Sequence, residues 1–116
     1  MLSGTLQEDS MRFLALTVAL LSLAPVAAAQ DMAAVKRGLD YANRVCSECH
    51  AVAPGQRTSP KAKAPSFQSV ADTPGMTDMA INVWLHTSHP TMPNLILNAD
   101  QTADLAAYIR TLRTKF

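Results

Sequence analysis

The sequence predicts a small all-α domain, and three observations carry that reading. Two well-separated stretches repeat apolar residues at helical spacing, Val35-Leu39-Ala42-Cys46 and Leu105-Tyr108-Ile109-Leu112. Between them lies a stretch dense in turn formers, with Pro54, Gly55, Ser59, Pro60 and Pro65. No strand-like run surrounds the stretch Cys46-Ser47-Glu48-Cys49-His50, where the first stripe ends.

The first residues read as a segment outside that domain. Met11-Arg12 opens a basic start, Phe13 to Leu23 is apolar and uncharged, and Ala27-Ala28-Ala29 is a small-residue cleavage site. This is the pattern of a secretory signal peptide cut after Ala29. The apolar run is short for a membrane span, the alternative being an uncleaved anchor. Glu8 and Asp9 do not suit a signal start, so residues 1–10 read as an upstream extension. Residues 1–29 are therefore assigned to extension plus signal, and residues 30–116 to one small domain.

The 48% hydrophobic content is inflated by the leader. After Ala29 the chain carries nine Lys/Arg and seven Asp/Glu, which excludes nucleic acid as the obvious partner. A domain this small is marginal without help, which a bound cofactor can supply.

From about Met32 the chain reads as a helix, with Asp31 as N-cap and Lys36, Arg37, Asp40 and Arg44 off the apolar stripe. Gly38 within it costs about 1 kcal/mol relative to alanine, which close approach of another helix would explain, the alternative being a neutral, tolerated glycine. The helix presents Cys46 and its neighbours at its C-terminal end.

Cys46-x-x-Cys49-His50 has the spacing of a covalent c-type haem attachment site. Two thiols two residues apart can form thioether bonds to the two vinyl groups of one haem. His50, next in line, is then the iron ligand beneath the ring. A redox disulfide would need a βαβ setting, and a zinc site would need more ligands than His86 and His89 offer. A structural disulfide and a chance pentapeptide in an exported protein are the remaining alternatives. Double attachment fits export to an oxidising compartment, which points to a periplasm.

Residues 51–66 read as a loop along one haem edge. Its Arg57, Lys61 and Lys63 form a basic cluster, either a solvated surface or a docking patch for an acidic redox partner. Thr77 caps a second helix to about Thr87, with Met79, Ala80, Val83 and Trp84 on one face. Trp84 is expected to pack against haem, its indole N–H toward a propionate, the alternative being plain core packing. His89-Pro90-Thr91-Met92-Pro93-Asn94 follows, and its two prolines forbid regular structure and stiffen the backbone. A lone methionine is more often core filler than ligand. In this stiff loop, downstream of a haem motif, Met92 is expected to be the sixth iron ligand. Met76, Met79, or a histidine from His86 and His89 are the alternatives. Asn98 and Gln101 resemble a capping box opening a last helix over residues 98–113.

With these elements in place the chain resembles the class I cytochromes c. Gly38 stands eight residues before Cys46, where that family has its helix-crossing glycine, and Tyr108 matches the aromatic residue that covers it. Ala64-Pro65-Ser66-Phe67 is similar to the family's Gly-Pro-x-Leu segment, with Ala and Phe replacing Gly and Leu. The likeness implies that the Pro65 carbonyl accepts a hydrogen bond from the ligand histidine, with Pro60 as fallback. Met92 lies in a Pro-x-Met-Pro segment like the family's sixth-ligand loop. Ala42 departs from the pattern, since an aromatic residue often stands there. The resemblance runs from Gly38 to Leu112 and implies a small fold of three to four helices wrapped around one covalently bound haem. It implies one-electron transfer between exported redox partner proteins, no enzyme activity, and a monomer. A gas-binding haem protein and an electron-entry subunit of a dehydrogenase or oxidase are the other readings.

Overall fold

The structure, a computed structural model, describes residues 24–87 and 91–114. The signal-like run from Met11 to Leu23 and the residues His89 and Pro90 lie outside the described residues. The chain divides into two units, Met1–Asp31 and Met32–Phe116. Among the described residues there are helices and irregular segments, with no strand. None of these helices is long and apolar enough to cross a membrane.

Helix α1 runs from Ala24 to Tyr41. The alanines ahead of Asp31, Ala27 to Ala29, are strong helix formers. Asp31 thus lies inside the helix and is not its N-cap, contrary to expectation. The helix does not continue regularly to Cys46. Ala42–Cys46 forms a π turn, in which the Ser47 N–H reaches back to the Ala42 carbonyl at 3.0 Å. The stripe survives this widening, with Ala42 and Cys46 both buried.

Helix α2, Phe67–Ala71, was not foreseen. Ser66 starts it by accepting from the Ser69 N–H at 3.1 Å. Helix α3, Asp78–Leu85, starts at Thr77, whose hydroxyl accepts from the Ala80 N–H at 3.1 Å. Its packed face differs from the expected one. Ile81 is buried and Leu85 half-buried, whereas Met79, Val83 and Trp84 are 78%, 58% and 55% exposed. Residues 81 and 85 are spaced i, i+4 and lie on the side of the helix away from 79 and 83, with 84 at its flank.

Helix α4, Ala99–Thr111, begins with the anticipated capping box: Asn98 Oδ1 accepts from the Gln101 N–H at 2.8 Å, and Gln101 Oε1 from the Asn98 N–H at 3.0 Å. Its expected apolar face, Leu105, Tyr108, Ile109 and Leu112, is buried throughout. It packs on α3 and α2. It also meets α1 at Gly38. A Cβ there would lie 2.6 Å from the Asp104 carbonyl carbon and 2.9 Å from Tyr108 Cβ, and closer still to the Asp104 oxygen. Only glycine permits that approach. Beside it Arg37 grips the largely buried Asp104 carboxylate with two 2.8 Å bonds, a forked pairing that ties the helices together.

Candidate functional site

The π turn is the base of the site. It ends at Cys46, and the next turn is tight: both the Cys49 and the His50 N–H donate to the Cys46 carbonyl, at 3.1 and 2.9 Å. The Ser47 hydroxyl adds a bond to the Asn43 carbonyl at 2.5 Å. Two cysteines and a histidine are thereby held on one compact turn at a helix end. Both thiols are free, Cys46 buried and Cys49 half-buried. Burial pushes the Cys46 thiol up to about 11, and the neighbouring Cys49 adds to that shift.

His50 is fixed from its other side. Its Nδ1 lies 2.6 Å from the Pro65 carbonyl oxygen. A carbonyl can only accept, so Nδ1 carries the proton and Nε2 the free lone pair. The loop that brings Pro65 here is itself pinned to the turn. The Lys61 N–H donates to the Cys49 carbonyl at 3.1 Å, and the Phe67 N–H to the Ala51 carbonyl at 2.9 Å. Ser59 Oγ accepts from the Ala51 N–H at 3.0 Å. The Phe67 ring lies 5.7 Å from the His50 ring at 53°. The buried Tyr108 hydroxyl reaches from α4 to the Val52 carbonyl at 2.6 Å. His50 thus sits in a frame whose flexible parts are all tied down, which keeps its ring orientation constant. Pro60 makes no such contact with His50.

Most of the remaining candidates lie on and after α3. Trp84 is half-exposed on the outward face of that helix. Met92 is half-buried in the irregular segment leading to Asn98. His86 ends α3, and its Nε2 lies 3.2 Å from the hydroxyl of Thr102 on α4. Met76 is half-buried against the core, and Met79 is exposed. Arg57 of the basic cluster pairs with Asp72 at 3.4 Å, while Lys61 and Lys63 are exposed. Among the described residues, no group of three or more His, Cys, Asp or Glu side chains is placed to hold a metal ion.

One supporting residue had no signal in the sequence. Gln68, buried in α2, donates to the Leu112 carbonyl at 2.6 Å and to Asp72 at 3.1 Å, and accepts from the Gly55 N–H at 3.0 Å. It joins the loop, α2 and the end of α4 through one side chain. A lone glutamine in a short helix carries no pattern that would reveal this.

The chain is 38% identical over 103 residues to the protein named cytochrome c-552 of Bradyrhizobium diazoefficiens, and the match covers 89% of this chain and 95% of the relative. No family model matches it, and no solved structure was found to match it. A relative this similar, aligned along most of both chains, shows the family, and the helical architecture agrees with it: the chain belongs to the class I cytochromes c.

Proposed function

We propose that this protein is a one-electron carrier holding one haem c, bonded through Cys46 and Cys49 and ligated by His50 and Met92. The observation that carries the reading is the 2.6 Å bond between His50 Nδ1 and the Pro65 carbonyl. It leaves Nε2 as the only ring nitrogen able to bind iron, on a residue next to two free thiols. The donor set fits the group: two thiols for the vinyls, and a neutral imidazole and a thioether for the iron.

Bound haem supplies the one-electron couple; the chain supplies its attachment, its ligands and its surroundings. His50 is oriented by Pro65, whose carbonyl fixes the tautomer that leaves Nε2 free. Pro93 beside Met92 limits the backbone freedom that a weak thioether ligand would otherwise lose on binding. The neutral Met92 ligand favours the reduced state and so a relatively high potential. Trp84 offers exposed aromatic surface on α3, and we assign it a place against the haem. Exposed Lys61 and Lys63 suit an acidic redox partner. Export by the segment from Met11 to Ala29 places the carrier in a periplasm, where both attachment and exchange with other exported redox proteins occur.

The test is Cys46→Ala combined with Cys49→Ala, expressed with haem-attachment machinery. Haem should be extractable from the variant by acidified organic solvent and should resist extraction from the wild type. Haem that resists extraction from the double variant would overturn the assignment.

A further inference from the structure

The segment carrying Met92 leaves α3 at His86 and enters α4 at Asn98. The structure ties both of these ends to one side chain. Thr102, fully buried in the first turns of α4, donates its hydroxyl proton to the Asn98 carbonyl at 2.9 Å. With its proton so used, that oxygen can only accept from His86, whose Nε2 lies 3.2 Å away. His86 therefore carries its proton on Nε2. Asn98 is held a second time by its reciprocal bonds with Gln101.

We propose that His86, Thr102 and Asn98 form a clasp whose role is to position Met92. The inference rests on the reading of Met92 as an iron ligand. Closing a flexible segment costs entropy, and a weak ligand on an open segment binds only for the fraction of time it is in place. The relay His86 Nε2–H to Thr102 Oγ1, and Thr102 Oγ1–H to the Asn98 carbonyl, brings the two ends to one point on α4. His86 and Thr102 are then positioning residues acting through Met92. This gives His86 a use other than iron ligation, since its Nε2 is turned to α4.

The test uses the full-length exported holoprotein and four variants: Thr102→Val, Thr102→Ser, His86→Leu and Met92→Ala. Imidazole is titrated into the ferric protein, following the weak far-red band of the methionine–iron bond. Thr102→Val keeps the shape but not the hydroxyl, and His86→Leu removes the other partner while leaving Thr102 bonded to Asn98. Each should bind imidazole about 2- to 10-fold more tightly than wild type, the change expected for one ordinary hydrogen bond. Thr102→Ser restores the hydroxyl and should bind as wild type. Amide exchange supplies a readout independent of the iron: the N–H groups of Thr87 and Gln101, bonded to the Trp84 carbonyl and to Asn98 Oδ1 at the two ends of the segment, should exchange faster in Thr102→Val and in His86→Leu. Unchanged affinity and exchange in both variants would overturn the clasp, as would a Thr102→Ser protein as impaired as Thr102→Val. A wild type lacking the far-red band, with Met92→Ala binding imidazole equally well, would instead overturn Met92 as ligand, and the exchange measurement would then decide the clasp alone.

Discussion

Gly38→Ala puts one methyl group into the crossing of α1 and α4. The added Cβ would meet the Asp104 carbonyl group and, at 2.9 Å, Tyr108 Cβ. The first is backbone and the second is anchored by the Tyr108 hydroxyl bond to Val52, so neither can swing aside as a side-chain tip could. Relief requires the helices to separate. Separation loosens the paired bonds between Arg37 and Asp104 and the packing of Leu105 and Tyr108. Overpacking of this kind costs about 1–3 kcal/mol, and backbone contact puts this site at or above the upper end, about 3. Alanine returns about 1 kcal/mol through its better helix propensity. The net expectation is a loss of about 2 kcal/mol, or roughly 8–16 °C in melting temperature for a domain of this size. The assay is urea and thermal unfolding of the holoprotein followed by far-ultraviolet circular dichroism, with Gly38→Val as a harsher companion. An alanine variant as stable as the wild type would refute the close crossing, because propensity alone predicts a gain.

Met92→Ala should leave haem attached but open the iron, so that the reduced protein binds carbon monoxide; unchanged binding would move the sixth ligand elsewhere. Gln68→Leu removes the donor to the Leu112 carbonyl from a buried site and should cost about 2 kcal/mol by urea unfolding, since an unpaired buried carbonyl costs about 1–3; a neutral result would mean that water replaces it. Hydrogen bonds from the Thr114 backbone, Gln68 and the Thr114 hydroxyl hold the Asp72 carboxyl below its ordinary range. Its contribution is thus fully present above about pH 4, the ordinary aspartate value, and is lost as pH falls through the lower folded value. The urea midpoint of the wild type should accordingly fall more steeply below pH 4 than that of Asp72→Asn, and parallel curves would contradict this.

The parts of the fold legible in the sequence were those set by local rules. The apolar stripes of α1 and α4 are periodic, and the Thr77 and Asn98 caps use short polar side chains at helix starts, so neighbouring residues alone specify them. Gly38 was legible through its place eight residues before Cys46, which matches the family's helix-crossing glycine; by itself a glycine in a helix leaves a merely tolerated position open. What escaped depends on contacts distant in sequence. The packed side of α3 is chosen by where α4 lies, which turned Ile81 inward and left Met79, Val83 and Trp84 outward. Helix α2 is too short to show a period, and the π turn at Ala42–Cys46 changes hydrogen bonding without changing which residues are apolar. At the site, the Cys46–His50 turn announced itself by spacing. The Pro65 contact followed from resemblance to a family segment, whereas the pairing of His86 with Thr102 joins two helices and leaves no trace in either.

In the proposed carrier the iron is held on both sides by the protein and passes electrons without opening to outside ligands. Optical spectra of the exported protein, oxidised, reduced, and reduced under carbon monoxide, test it most directly. A six-coordinate carrier should show a low-spin c-type spectrum, a weak far-red band when oxidised, and no response to carbon monoxide. A high-spin spectrum that shifts with carbon monoxide would contradict it and make this a gas-binding haem protein.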